Sequence, residues 1–325
     1  MEQQTPKSTK RWTSALGSQL GIGLALLSEI ALFAFLSPHF LTSDNLLNVS
    51  LQVSITAIIA VGMTFVILTN GIDLSVGSLV AFVGVIVTSM MSIHLPTFIT
   101  LTLAILGGLV IGAASGGFAG LVITRFKITP FIVTLALMTI LRGAAFIYTQ
   151  GRPIWELPEV FKVLGGERLA GVPIPTVIMI LVYIAAHVAL TRTRFGRHVY
   201  AVGGNPEAAR LAGIRTNRVL IQVYTLCGVL TALSGILLAS RLNSGQPNAG
   251  LMYELDVIAS VVVGGTSLNG GRGSIVGTFI GSMLIAVLRN GLNLLDVESY
   301  VQQVVVGAVI LLAVMVDQLR VKKGR

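Results

Sequence analysis

From Asn45 to Thr124, 80 consecutive residues carry a single charged side chain, Asp73, and the 51 residues from Leu74 to Thr124 carry none. Soluble domains average about 25% charged residues, whereas this chain of 325 residues has 11% charged and 54% apolar. Water cannot cover such a surface. A hydrocarbon layer of about 30 Å takes about 20 apolar residues per helical crossing. The stretch from Leu74 to Thr124 therefore holds two crossings, with His94, Leu95 and Pro96 as the turn between them. Lipid offers no partner to backbone amides, so a spanning segment satisfies them within itself as a helix. The fold class is an all-α integral membrane protein.

Apolar runs able to cross or deeply enter a bilayer lie at 17–37, 50–69, 74–93, 97–123, 129–149, 173–191, 219–240, 253–267, 274–293 and 299–317. About ten transmembrane helices follow. The run at 253–267 is short and glycine-broken, as a half-helix or re-entrant segment would be, and such backbone needs cover from protein or a water-filled cavity. Lys7, Lys10 and Arg11 precede the first run, which is too long for a signal-peptide core of about 7–15 residues and is read as a retained span.

Cytoplasmic loops are rich in Lys and Arg, which tests the count independently. With the N-terminus inside, 16 of the 22 basic residues fall on the cytoplasmic side. Arg152, Lys162, Arg168 and Arg241 fall outside, and Arg142 and Arg289 lie within runs. The outer loop 150–172 also carries Glu156, Glu159 and Glu167. The expected organisation is a cytoplasmic tail at 1–16, one transmembrane domain at 17–319 with a cytoplasmic loop at 192–218, and a cytoplasmic tail at 320–325. The net charge of +9 is explained by this placement and calls for membrane lipid rather than nucleic acid.

No catalytic, cofactor or metal constellation is legible. The lone Cys227 excludes an intrachain disulfide framework. His39, His94, His187 and His198 have no metal-ligand spacing, and neither GxSxG nor GxxxxGK[ST] occurs, so the chain has no phosphate-cradling loop for ATP. Any energy for pumping comes from elsewhere.

Charge within a bilayer is costly and marks a functional hypothesis; Glu29, Asp73, Arg142 and Arg289 qualify. Asp73 lies in NGIDLSVGS, with Asn70, Ser75 and Ser78, between two very apolar runs. Asp73 either caps a helix beginning near Leu74 or belongs to a broken helix at a translocation pathway. A second polar break, VVVGGTSLNGGRGS, offers Gly264, Gly265, Thr266 and Asn269. Asn290 and Asn293 follow in RNGLNLL. These uncharged groups suit hydroxylated neutral solutes better than ions, while ordinary loop and cap roles account for them equally. Two rows at spacing four, Gly108, Gly112, Gly116 and Gly120, then Gly273, Gly277 and Gly281, each place one bare face toward a neighbouring helix, a packing device.

In the loop 192–218, GGNPEAARLAG predicts a short surface helix. Asn205 is its cap and Pro206 its first residue. Glu207, Ala208, Ala209, Arg210, Leu211 and Ala212 form its body, and Gly213 stops it. A helix so short is marginal alone and needs something to lie against.

Glu207-Ala208-Ala209, three residues, Gly213, nine residues and Val223 resemble the EAA motif by which permeases of binding-protein-dependent ABC importers dock on their ATPase subunits. The Leu-Pro that often ends that motif is replaced by Tyr224-Thr225. The chain resembles most closely the ribose-type monosaccharide permeases. The strings that carry this are VGMTFVILTNGIDLSVGS at 61–78, GGNPEAARLAGI at 203–214, SGQPNAGLMYELDVIASVVVGGTSLNGGRGSIVGT at 244–278 and RNGLNLL at 289–295.

The resemblance covers about Leu36 to Asp317. It implies an ABC importer permease of the ten-helix type, multi-pass in the bacterial inner membrane with both termini cytoplasmic. It implies a homodimer, served by a cytoplasmic ABC ATPase and a periplasmic sugar-binding protein, that passes ribose or a similar monosaccharide and holds no cofactor. Its two halves would be related in opposite orientation, a similarity that is only faint in the sequence. On this resemblance Asn205, Glu207, Ala208, Ala209, Arg210 and Gly213 couple to the ATPase. An ion-coupled secondary transporter would use the buried charges but leaves the EAA-like helix unexplained. An intramembrane enzyme lacks a catalytic set, and a branched-chain amino acid permease is the nearest rival on substrate.

Overall fold

A computed structural model describes residues 9–92, 96–155 and 157–323. The expected turn residues His94 and Leu95, Glu156, and the ends of both tails lie outside the described residues. The helices are α1 (Thr9–Leu36), α2 (Ser43–Leu68), α3 (Val76–Met91), α4 (Thr97–Phe126), α5 (Pro130–Thr149), α6 (Glu159–Gly166), α7 (Ile174–Arg192), α8 (Arg194–Gly204), α9 (Pro206–Leu211), α10 (Thr216–Leu242), α11 (Tyr253–Val263), α12 (Ile275–Leu294) and α13 (Ser299–Lys323). Strands β1 (Arg168–Leu169) and β2 (Val172–Pro173) form an antiparallel hairpin with Arg168 opposite Pro173 and Leu169 opposite Val172.

A helix covers the body of each apolar run. Among the described residues six are long and apolar enough to cross a membrane, namely α2, α4, α5, α7, α10 and α12, while Leu20–Leu36, Val76–Met91 and Ser299–Met315 are shorter apolar helices. This is a multi-pass membrane protein. Sequence reading missed α6, the hairpin and α8, all in segments read as loops. Both helices are strongly amphipathic, with Phe161 and Gly165 of α6 and Val199 and Val202 of α8 buried on one face, but they are short and lie among polar residues, so neither stands out as a long apolar run. Ser240 Oγ donates to the Phe161 carbonyl of α6.

Helix α2 is buried along almost its whole length and lies at the centre, packed on α10. The two run antiparallel: Gly62 meets Cys227, and Ser234 Oγ donates to Ile55 O at 2.9 Å. The first glycine row seats α4 on α10, since Cβ atoms would lie 2.4 Å from Gly228 O at Gly112, 2.1 Å from Tyr224 O at Gly116 and 2.7 Å from Ile221 Cα at Gly120. Only glycine permits so close an approach, and small residues drive helix association where lipid is as apolar as leucine. In the second row, Gly277 and Gly281 press α12 onto Gly264 and Ser260 at the end of α11. Gly273 does not share that face. It precedes the N-cap Ser274, whose Oγ accepts from Gly277 N, and packs on Thr266.

Two units share one build in opposite directions. α2 leads through 69–75 into short α3, and α10 leads through 243–252 into short α11. Each connecting segment opens with an asparagine near its start in left-handed backbone, Asn70 at φ 61° and Asn243 at φ 49°. At one end of the bundle lie the hairpin, α6 and the end of α10, and at the other lie α8, α9 and the end of α2. These are called the hairpin end and the α9 end.

Candidate functional site

The two short helices begin at one place between the ends. A Cβ on Gly77, in the first turn of α3, would lie 2.3 Å from Gly250 O, and one on Gly250 would lie 2.6 Å from Gly77 O. From this crossing α3 runs to the hairpin end, where Gly245 meets Thr88, and α11 runs to the α9 end. At about 1.5 Å per residue, α11 is only about 16 Å long, so it enters the protein without crossing alone. Both helices point amide-rich, partly positive N-termini toward the crossing.

Carboxylates meet both N-termini. Asp73 is 2% exposed, and its Oδ1 accepts from Ser75 N at 2.9 Å and Ser75 Oγ at 2.6 Å. The helix expected to begin near Leu74 starts at Val76 with Ser75 at the N-cap. Asp73 thus meets the start of α3 through the Ser75 N–H and hydroxyl, an Asx-type turn of the kind that opens helices. On α11 the first turn carries Glu254 and Asp256. These two acids were missed in the sequence, masked by the apolar residues around them. Asp256 Oδ1 accepts from Arg289 Nη2 of α12 at 2.5 Å, and Arg142 Nη1 of α5 donates to the carbonyls of Pro247 at 2.8 Å and Ala249 at 2.7 Å. Arg142 thus straps the connecting segment 243–252, whose Gly245 is also joined to Ile154 through paired 2.9 Å backbone bonds. Glu29 lies elsewhere, on α1, and its buried Oε2 has no partner among the described residues.

The remaining sequence candidates divide. Ser78 is buried beside Asp73 and Ser75 on this unit, whereas Asn70 is exposed at the α9 end. Gly264, Gly265, Thr266 and Asn269 form the turn after α11, also at the α9 end. There Thr266 Oγ1 is buried without a partner among the described residues. Asn290 is 6% exposed and exchanges amide hydrogen bonds with Asn45 at 2.9 Å in both directions. Asn293 is exposed. The polar groups therefore do not converge on one cavity: Asp73, Ser75 and Ser78 belong to the crossing, and the others lie toward either end.

At the α9 end, Asn205 Oδ1 accepts from Ala208 N at 3.0 Å, Pro206 opens α9, and Gly213 turns the chain at φ +85°. Glu207 and Arg210 approach to 3.8 Å, both well exposed. Of Pro206–Leu211 only Ala209 is buried, and Leu211 is 83% exposed.

Residues 45–314 match a family profile described as "Branched-chain amino acid transport system / permease component". The chain is 47% identical over 321 residues to the ribose import permease protein RbsC of Escherichia coli (strain K12), covering 98% of this chain and 99% of that one. It is 48% identical over 302 residues to the ribose import permease protein RbsC of Bacillus subtilis (strain 168), covering 92% of each. It is 38% identical over 306 residues to the L-arabinose ABC transporter permease protein AraH of Azospirillum brasilense, covering 94% of this chain and 89% of that one. No solved structure matches. A match of this extent, on a bundle of apolar helices with paired half-helices, shows that the chain belongs to this family of transport-system permeases.

Proposed function

We propose that the chain is the membrane permease subunit of an ATP-driven importer that passes a monosaccharide, ribose or a close relative, into the cytoplasm. The observation that carries this is α9, a capped helix that presents Glu207, Arg210 and Leu211 to solvent and buries only Ala209. Such a helix gains its stability from a partner, and a partner ATPase supplies the hydrolysis for which this chain has no phosphate loop. Asn205, Glu207, Ala208, Ala209, Arg210 and Gly213 form the docking segment.

On this reading the α9 end faces the cytosol, with both tails and most of the arginines, and the hairpin end faces the periplasm of a bacterial inner membrane. The ten helices in apolar runs form one domain over 17–319, flanked by tails at 1–16 and 320–325, and a second copy completes a homodimer. A periplasmic binding protein docks on 150–172 and 241–252, the segments joined at Ile154 and Gly245. Asp73, Ser75 and Ser78 line the path at the crossing. Asn70, Gly264, Gly265, Thr266 and Asn269 lie toward its inner mouth, and Asn290 and Asn293 toward its outer one. Broken helices at such a crossing are a recurrent device of alternating access, and weak holding of sugar in the path favours release. Relatives named as import permeases do not favour an ion-coupled transporter.

The test is gentle solubilisation and pull-down of the tagged chain. Wild type is expected to bring down an ATPase, and Glu207→Ala with Leu211→Asp to lose it while inserting normally. Uptake into cells is expected to be competed by ribose and not by leucine. Equal co-purification by both chains, or competition by leucine alone, rejects the proposal.

A further inference from the structure

Helix α9 has almost no grip of its own on the membrane domain, so any movement of it must travel through what it is joined to. It is joined to α8 before it and to α10 after it, and α8 ends in a backbone-to-backbone joint with two further segments. A Cβ on Gly203 would lie 1.7 Å from Leu68 O and 2.7 Å from Gly271 N, and Gly271 N donates to Leu68 O at 2.9 Å. Gly270 closes the same joint, since its Cβ would meet Gly203 O at 2.8 Å and Asn70 N at 3.1 Å. One turn earlier, the Tyr200 hydroxyl donates to Gly273 O at 2.8 Å. Burial pushes the Tyr200 phenol above its ordinary value, so it stays protonated as a donor below the ordinary phenol range and loses that role only as pH rises past its raised value.

Leu68 is the last residue of α2, directly before the segment 69–75 that leads into α3. Gly270, Gly271 and Gly273 lie in the turn directly after α11. The end of α8 therefore touches, backbone to backbone, the end of α2 that leads through 69–75 to α3 and the turn that follows α11, with the Tyr200 side chain as a further tie to that turn. Backbone contacts of this kind do not deform continuously but repack as units.

We infer that Gly203 and Tyr200 are positioning residues that transmit displacement of α9 to α3 and α11, so that α8 is the drive element of the pathway. This rests on the reading of α9 as the ATPase-docking helix. A contact that merely stabilised the fold would be indifferent to how much transport each hydrolysis yields, and that ratio is therefore the readout.

The experiment reconstitutes the full chain with its co-purified ATPase and sugar-binding protein in liposomes and measures labelled ribose accumulated per ATP hydrolysed. Gly203→Ala and Tyr200→Phe are compared with Gly204→Ala, whose Cβ meets nothing within 4 Å. All three are expected to bring down the ATPase as wild type does. Transport per ATP is expected to fall about tenfold in Gly203→Ala and about threefold in Tyr200→Phe, the scale on which substitutions along a coupling route act, and to hold in Gly204→Ala. An unchanged ratio in both variants, or an equal fall in the Gly204→Ala control, overturns the inference. If Gly203→Ala fails to reach the membrane, Tyr200→Phe alone decides by the same ratio. A wild-type chain that brings down no ATPase instead defeats the docking reading, a failure visible before any ratio is measured.

Discussion

Gly77 and Gly250 face each other backbone to backbone, each placed so that a Cβ would lie 2.3 Å and 2.6 Å, respectively, from the other's carbonyl oxygen. Neither residue belongs to a glycine row. Their contact is made by two residues 173 positions apart in the sequence, at or just before the places where helix resumes in mid-protein, and it marks where α3 and α11 begin.

Alanine at either position is expected to force the half-helices apart. Overpacking costs about 1–3 kcal/mol, and Gly250, at φ +65°, carries a left-handed penalty of about 1–2 kcal/mol besides. Gly84→Ala, whose Cβ would make ordinary contact with Ala239 at 3.5 Å, is expected to cost little. Thermal unfolding midpoints in detergent order the three.

Asp256 and Arg289 form a partly buried ion pair, with side chains 10% and 33% exposed. Removing one partner of a buried pair costs about 3–5 kcal/mol, and the exposure of Arg289 reduces that here. Asp256→Asn and Arg289→Met are each expected to destabilise more than their combination, a non-additive cycle. Additive losses in unfolding would show that the two charges act separately.

Asn45 and Asn290 satisfy each other, and Asn45 Nδ2 also donates to Phe40 O at 2.8 Å. Leaving one buried amide without its partner costs about 1–3 kcal/mol. Asn45→Ala and Asn290→Ala are therefore expected to lower stability alike. If Asn290 instead served solute directly, only its replacement would change the concentration of ribose giving half-maximal uptake.

Arg142 holds the carbonyls of Pro247 and Ala249. Cys227 is buried, so a cysteine placed at half-buried Ala249 is the one that reagents read. Its labelling is expected to quicken by about a hundredfold or more in Arg142→Ala, because the two lost strap bonds, worth about 1.5–3 kcal/mol each, raise local opening of 243–252. Unchanged labelling would mean that the Ile154 and Gly245 bridge alone holds the segment.

Much of this was legible from residue order. An uncharged run must leave water, and each apolar run does hold a helix. Asn205, Pro206 and Gly213 place α9 because caps, fixed φ and left-handed stops act over a few residues. The local reading failed at a helix boundary, where a distant partner competes, and in short elements. The helix expected near Leu74 begins at Val76 although Asp73 does accept from the N–H of Ser75 at its start, Gly273 turns toward Thr266 instead of joining the α12 face, and the amphipathic α6 and α8 are too short to stand out as runs. Glu254 and Asp256 escaped notice because an acid among apolar residues declares its value only once its cation is found.

What the sequence determined by itself is that this chain lives in a bilayer as helices, with a basic end and one exposed capped helix, since hydrophobic transfer and local backbone satisfaction depend on composition and near neighbours. The tertiary structure alone decided that two helices start at a shared crossing, that Arg142 and Arg289 are engaged by groups more than 30 positions away, and that Gly203 lies between Leu68 and Gly271. Those relations are set by which backbones can approach within van der Waals contact, a property of two surfaces at once that no single stretch of chain encodes.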